Sequence, residues 1–164
     1  MPIPKPEMAP TGGDPVEPGS PAPAFELPDQ HGNLHALADA GGPVVLFFYP
    51  KDDTPGCTKE ACGFQAAEAE LAAAGVKAWG VSPQDTKSKK RFADKHGLAF
   101  PLLADEGAKV CAAYGVWREK SMYGRKYAGV ERTTFLIDAA GVVKKRWDQV
   151  KVAGHVEDVL AGLR

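Results

Sequence analysis

Residues 50–64 read PKDDTPGCTKEACGF, and they stand between two different patterns. Before them lies the apolar run Val44–Tyr49, VVLFFY; after them comes an alanine-rich stretch of helical composition. An apolar run that ends at Pro50, a polar Pro-Gly turn and an alanine-rich continuation predict a strand, a tight loop and a helix start. Thr54 is suited to cap that helix, and Pro55 suits its first position. Cys57 then falls in the first turn, where unpaired backbone N–H groups favour an anion. A thiolate is such an anion, so the local physics points to Cys57 as a reactive thiol of lowered pKa.

Cys62 lies five residues further along the same predicted helix. On an ideal helix that spacing separates two Cα atoms by roughly 8 to 9 Å, on different faces. A disulfide needs less than about 7 Å. Any pairing of Cys57 with Cys62 therefore requires the first turns of the helix to unwind. The spacing also differs from the C-x-x-C of thioredoxin-type motifs.

Outward from this stretch, Phe25 to Leu37 predicts a short hairpin around Asp29–Asn33. Toward the C-terminus, a helix from about Cys57 to Ala74 is ended by Gly75, and Val76–Ser82 reads as a strand. Lys87–His96 reads as a charged helix closed by Gly97, Phe100–Leu103 as a short strand and Ala108–Tyr114 as a short helix. Val116–Gly129, rich in charge, glycine and aromatics, reads as a loop or irregular hairpin. Thr133–Ile137 and Val142–Trp147 form a predicted antiparallel hairpin, with a last helix over Ala153–Leu163. Strands alternating with helices and followed by a hairpin and a helix indicate an α/β domain of three layers around a mixed sheet. The domain is expected over residues 22–164. Residues 1–21, proline-rich and poor in large apolar side chains, are expected to be a flexible tail.

The composition narrows the function classes. A chain of 164 residues supports one domain with a real core. Its formal net charge of -1 and the absence of a long basic block give no indication of nucleic acid or anionic membrane partners. No apolar run has the length of a membrane span, and the N-terminus lacks the pattern of a secretory signal. The first arginine is Arg91, which argues against an arginine-rich transit peptide. Three cysteines fit a reducing compartment, and a cytoplasmic location is expected.

Taken together, DTPGCTKEACGF, the YGV of Tyr114–Val116 and the ERTTFLID of Glu131–Asp138 closely resemble the peroxiredoxins of the bacterioferritin-comigratory or Q type. The resemblance covers about Pro18 to Arg164 and carries the motif P-x3-T-x2-C with a distant arginine. It implies a thioredoxin-like fold and reduction of hydrogen peroxide and organic hydroperoxides, with no cofactor and no metal. Cys57 resembles the peroxidatic cysteine, which attacks the O–O bond and becomes a sulfenic acid. Thr54 resembles the residue that hydrogen-bonds the peroxide, and Pro50 the one that shields the thiolate. Arg132 resembles the arginine beside thiolate and substrate, and Glu60 matches a position that often orients it. Cys62 resembles the resolving cysteine of the single-subunit type, whose disulfide is reduced by thioredoxin or a glutaredoxin-type protein. Relatives of this type are often monomers and sometimes dimers.

Blander readings compete at several residues. Cys111, among the apolar residues of KVCAAYGV, reads as packing. Asp52 and Asp53 read as solvated turn charges, since adjacent loop carboxylates seldom converge on one atom. His31, His35, His96 and His155 are too scattered to complete a zinc site with Cys57 and Cys62. No glycine-rich nucleotide fingerprint follows the first strand. The rival functions are a thiol redox sensor, which reacts once, and a general thiol-disulfide oxidoreductase, for which the cysteine spacing is wrong.

Overall fold

The computed structural model describes residues 7–163. At its centre is a five-stranded mixed sheet in the order β5-β4-β3-β8-β9. The middle strand, β3 (Val44–Phe48), is buried at every position, as its unbroken apolar sequence requires. It pairs in parallel with β4 (Lys77–Ser82) and antiparallel with β8 (Thr133–Ile137). β5 (Leu102–Ala104) and β9 (Val143–Trp147) form the edges. Alternate residues of β3 feed two cores. Val45, Phe47 and Tyr49 face the helices α1 (Pro55–Ala66), α2 (Glu68–Ala73), α3 (Thr86–His96) and α5 (His155–Gly162). Val44, Leu46 and Phe48 face the opposite layer, with Cys111 and Tyr114 at and after α4 (Lys109–Ala113). The expected three-layer, thioredoxin-like α/β architecture is present.

Two small antiparallel pairs complete the fold. β1 (Glu26–Pro28) and β2 (Leu34–Ala36) form the expected hairpin. Residues 116–129, expected as a loop or irregular hairpin, contain a regular one, β6 (Trp117–Met122) with β7 (Arg125–Val130). Its tip is Tyr123-Gly124, both at positive φ, and Tyr123 is almost fully exposed. Charge content obscured this hairpin because most of its residues face solvent. The single helix expected from Cys57 to Ala74 is two helices, for the backbone leaves helical geometry at Ala67 (ψ 7°).

Residues 7–21, part of the stretch expected to be a flexible tail, lie hydrogen-bonded on the body of the domain; residues 1–6 fall outside the described residues. Ala9 N–H donates to the Gly107 carbonyl (2.7 Å), Gly12 N–H to Trp117 (3.0 Å) and Val16 N–H to Tyr114 (3.2 Å). Trp117 Nε1 donates back to the Ala9 carbonyl at 2.8 Å. Composition alone gave no sign of these backbone partners. Gly115 explains how closely this strap sits: a Cβ there would lie 2.0 Å from the Asp14 carbonyl oxygen, and φ is +76°. Further on, Gly19 N–H donates to Val143 (2.7 Å) and Pro21 bridges to Val142, so the strap runs beside the start of edge strand β9. Arg146 of β9 donates to the carbonyls of Pro15 and Val16.

Candidate active site

The loop from Pro50 to Thr54 delivers the chain from the end of β3 into α1. Pro55 opens the helix and Thr54 occupies the cap position with an extended backbone (φ -88°, ψ 154°). The Thr54 side chain does not cap, contrary to the expectation from sequence; its Oγ1 donates to the Lys51 carbonyl at 2.9 Å and closes the loop on itself. Along α1 the buried residues are Cys57, Glu60, Ala61 and Phe64. This is a stripe of helical spacing, and it turns Cys57 and Glu60 inward together. Phe64 fixes the stripe by stacking on Phe47 of β3, with centroids 4.6 Å apart and planes at 22°. Cys62, half-buried, packs at the margin of the same core.

Arg132, just before β8, reaches this stripe. Its Nη2 donates to Cys57 Sγ at 3.2 Å and its Nη1 to Glu60 Oε1 at 2.8 Å. One guanidinium therefore spans the thiol and the carboxylate, a pairing that suits its planar fork. Cys57 is only 1% exposed, so Arg132 Nη2 faces a sulfur with almost no competing water. Burial opposes the charge on Arg132, but Glu60 and Cys57 outweigh it and hold the guanidinium above its ordinary value. Gly56 leaves room for this arm, since a Cβ there would lie 3.3 Å from Arg132 Nη2.

Glu60 is the unusual member. Burial drives its carboxyl from 4.5 up to about 7, with Arg132 pulling the other way. Its Oε1 is taken by Arg132, whereas Oε2 is buried with no hydrogen-bond partner among the described residues. His155 of α5 approaches that oxygen, with Nε2 at 3.9 Å from Oε2. That imidazole is itself buried, shares a 2.8 Å hydrogen bond with Thr134 Oγ1, and lies edge-on to Phe64 and Trp147. Burial depresses it from 6.5 to about 4; Asp158 and Glu157 oppose this and Arg132 adds to it. α1 and α5 meet so tightly that a Cβ on Gly63 would lie 2.9 Å from Val156 Cγ2.

The structure thus brings Cys57, Glu60 and Arg132 into direct contact and places Thr54 at the mouth of the same helix. Pro50 is half-buried at the loop entrance. Cys111 is wholly buried in the opposite core, with its N–H on Asp105 Oδ2 at 2.8 Å, and burial pushes its thiol well up. Sequence reasoning missed His155, which carried no motif. It also missed Lys120 of β6, which donates to the Val130 carbonyl at 2.5 Å; burial lowers its ammonium while Glu131 opposes. The expectation for Asp52 is overturned: its carboxylate is buried and ion-paired with Lys89 of α3 at 3.0 Å. Asp53 does remain exposed, but it is paired to Lys95 and His96. Among the described residues no group of three His, Cys, Asp or Glu side chains is arranged to hold a metal.

Comparison with known proteins places the chain in a family. The AhpC/TSA family model matches residues 18–146. Peroxiredoxin Bcp of Escherichia coli K12 is 44% identical, covering 92% of this chain and 97% of that protein. Peroxiredoxin Bcp of Bacillus subtilis is 43% identical, covering 91% and 96%. A solved structure of the Xanthomonas campestris bacterioferritin comigratory protein, studied for its alkyl peroxide reduction, superposes with a TM-score of 0.81 at 44% identity over 85% of this chain and 89% of that one. With a family model over most of its length and such relatives along nearly all of it, the chain belongs to the AhpC/TSA family, among the thioredoxin-fold peroxiredoxins of the bacterioferritin-comigratory or Q type.

Proposed function

We propose that this thiol peroxidase works through Cys57 as the attacking thiolate, Arg132 and Thr54 as the groups that receive the peroxide, and Cys62 as the resolving thiol. The observation that carries the reading is the single guanidinium 3.2 Å from Cys57 Sγ and 2.8 Å from Glu60. Sulfur attacks the nearer peroxide oxygen, the O–O bond breaks, and Cys57 becomes a sulfenic acid while the distal oxygen leaves as alkoxide or hydroxide and takes up a proton. Negative charge moves from sulfur toward oxygen in this step. Fixed donors on Arg132 serve both ends of that movement without reorganising. Glu60 holds the guanidinium in register, and Pro50 covers the approach to sulfur from the loop side.

In the second step the Cys62 thiol displaces water from the sulfenic acid and forms the disulfide. α1 must open between the two residues for the sulfurs to meet. A dithiol reductant of the thioredoxin or glutaredoxin kind then returns both thiols and is itself oxidised. Hydrogen peroxide and small organic hydroperoxides are the proposed substrates, a monomer the proposed working unit, and a reducing cytoplasm the proposed setting. All three cysteines are free, and no described helix is long and apolar enough to cross a membrane. The test is peroxide consumption coupled to a thioredoxin system. Wild-type protein is expected to turn over many equivalents and Cys57→Ser none, because an alcohol is barely ionised at neutral pH. Consumption that stops after one equivalent would favour a sensor, and turnover retained in Cys57→Ser would move the chemistry to another thiol.

A further inference from the structure

The six residues that carry the chain from β3 to α1 are tethered at several points from outside α1. Gln84, just after β4, donates from Nε2 to the Pro50 carbonyl (3.2 Å) and accepts the Asp52 N–H on Oε1 (3.1 Å). The Asp52 carboxylate accepts from Tyr49 Oη (2.6 Å), Ser88 Oγ (2.7 Å) and both arms of contact with Lys89 Nζ (3.0 and 3.1 Å). Lys89 is 0% exposed, hydrogen-bonds Ser82 Oγ, and sits 5.1 Å from the centre of the Tyr49 ring. Asp53, at φ 59°, is held by Lys95 Nζ and His96 Nε2, each at 2.8 Å. A buried ion pair is seldom a net source of stability, because desolvating two charges offsets their attraction. Its consequence here is geometric: it fixes the backbone one residue before the turn that leads to Thr54.

We propose that Asp52, clamped by Lys89 of α3, is a positioning residue for the peroxide reaction, setting Pro50 and Thr54 around Cys57. This rests on the peroxidase reading and names residues outside the thiol, arginine and threonine set as necessary to it. Because these tethers run to Tyr49 at the end of β3, to Gln84 between β4 and α3, and to α3 itself, none is broken when α1 opens between Cys57 and Cys62. The receiving half of the site keeps its shape while the thiol half moves, and α1 rewinds onto a preset cap.

The test separates positioning from folding by comparing two reactions of the same sulfur. Attack on peroxide needs the oxygens aligned by Thr54 and Arg132, whereas alkylation by iodoacetamide needs only an accessible thiolate. Asp52→Asn with Lys89→Met removes both charges together, which avoids an unpaired buried ion. Gln84→Leu removes the two backbone tethers and leaves the ion pair whole, so it decides the matter if the double variant does not fold. Both are expected to lower the second-order rate of Cys57 oxidation by hydrogen peroxide roughly tenfold or more, while Cys57 alkylation, followed by peptide mass spectrometry, stays within about threefold of wild type. Unchanged peroxide rates, or peroxide and iodoacetamide rates that fall together, would overturn the inference. Failure of the wild type itself to react with peroxide at Cys57 would instead overturn the peroxidase reading.

Discussion

Glu60→Gln tests the electrostatics of the site through the pH dependence of stability. The Glu60 side chain is 0% exposed, and folding raises its carboxyl from 4.5 to about 7. For an acid raised in this way the folded protein keeps a proton that the unfolded chain has lost. Its contribution is therefore complete below pH 4.5 and disappears as the pH rises through about 7. At about 1.4 kcal/mol for each tenfold, the loss comes to about 3 kcal/mol across that window. His155 acts in the opposite sense. Its imidazole falls from 6.5 to about 4, so its contribution is present above pH 6.5 and is lost as the pH drops through about 4. The two windows overlap, and in the wild type their slopes largely cancel between pH 4.5 and 6.5. Glutamine preserves the shape and the acceptor for Arg132 but cannot titrate. Urea melts of the reduced protein at intervals from pH 4.5 to 7.5 give the measurement. The difference in unfolding free energy between Glu60→Gln and wild type should shift by up to about 3 kcal/mol in favour of the variant as pH rises, and His155→Gln should tilt the other way. A difference that stays constant with pH would mean that Glu60 titrates alike in both states, and the burial argument would fail.

Arg132→Lys keeps the charge but loses the fork that reaches Cys57 and Glu60 at once, so kcat/KM for peroxide should drop at least about tenfold, or about 1.4 kcal/mol of transition-state stabilisation. Unchanged steady-state kinetics would leave Arg132 with a structural role only. Cys62→Ser should still consume one equivalent of peroxide rapidly, then hold or over-oxidise the sulfenic acid, as intact mass spectrometry would record. In the wild type, oxidation to the disulfide should speed amide exchange over Thr58 to Phe64, and equal protection in both redox states would sink the requirement that α1 opens.

The fold was legible where local pattern and tertiary environment agree. The run of β3 is apolar because both its faces are covered, and the Pro-Gly loop marks the helix start because those residues have few other backbone options. Arg132 was beyond local reasoning: it meets Cys57 across 75 residues of sequence, and only the family resemblance singled it out. Asp52 and Lys89 misled for a related reason, since each in isolation reads as a surface charge and burial becomes tolerable only when both arrive together. Lys89 did carry a faint signal, for it lies one turn before Phe92 and Ala93 on the face of α3 that enters the core. The strap over residues 7–21 left no such trace, because its hydrogen bonds run from the backbone, which every sequence shares.

Edge strand β9 bears on how these molecules behave in a crowded solution. A sheet margin with free amides and carbonyls invites a strand from another chain to add on. Here the margin carries three successive cations, Lys144, Lys145 and Arg146, and Arg146 is already committed to strap carbonyls. At its start it meets Pro21, a residue with no amide hydrogen to extend a ladder. Two copies approaching through this margin would set like charges against each other and find the first rung occupied. The strap thus leaves a strand from another chain no free partner at the start of this margin, and the cations beyond it oppose the approach of a second copy.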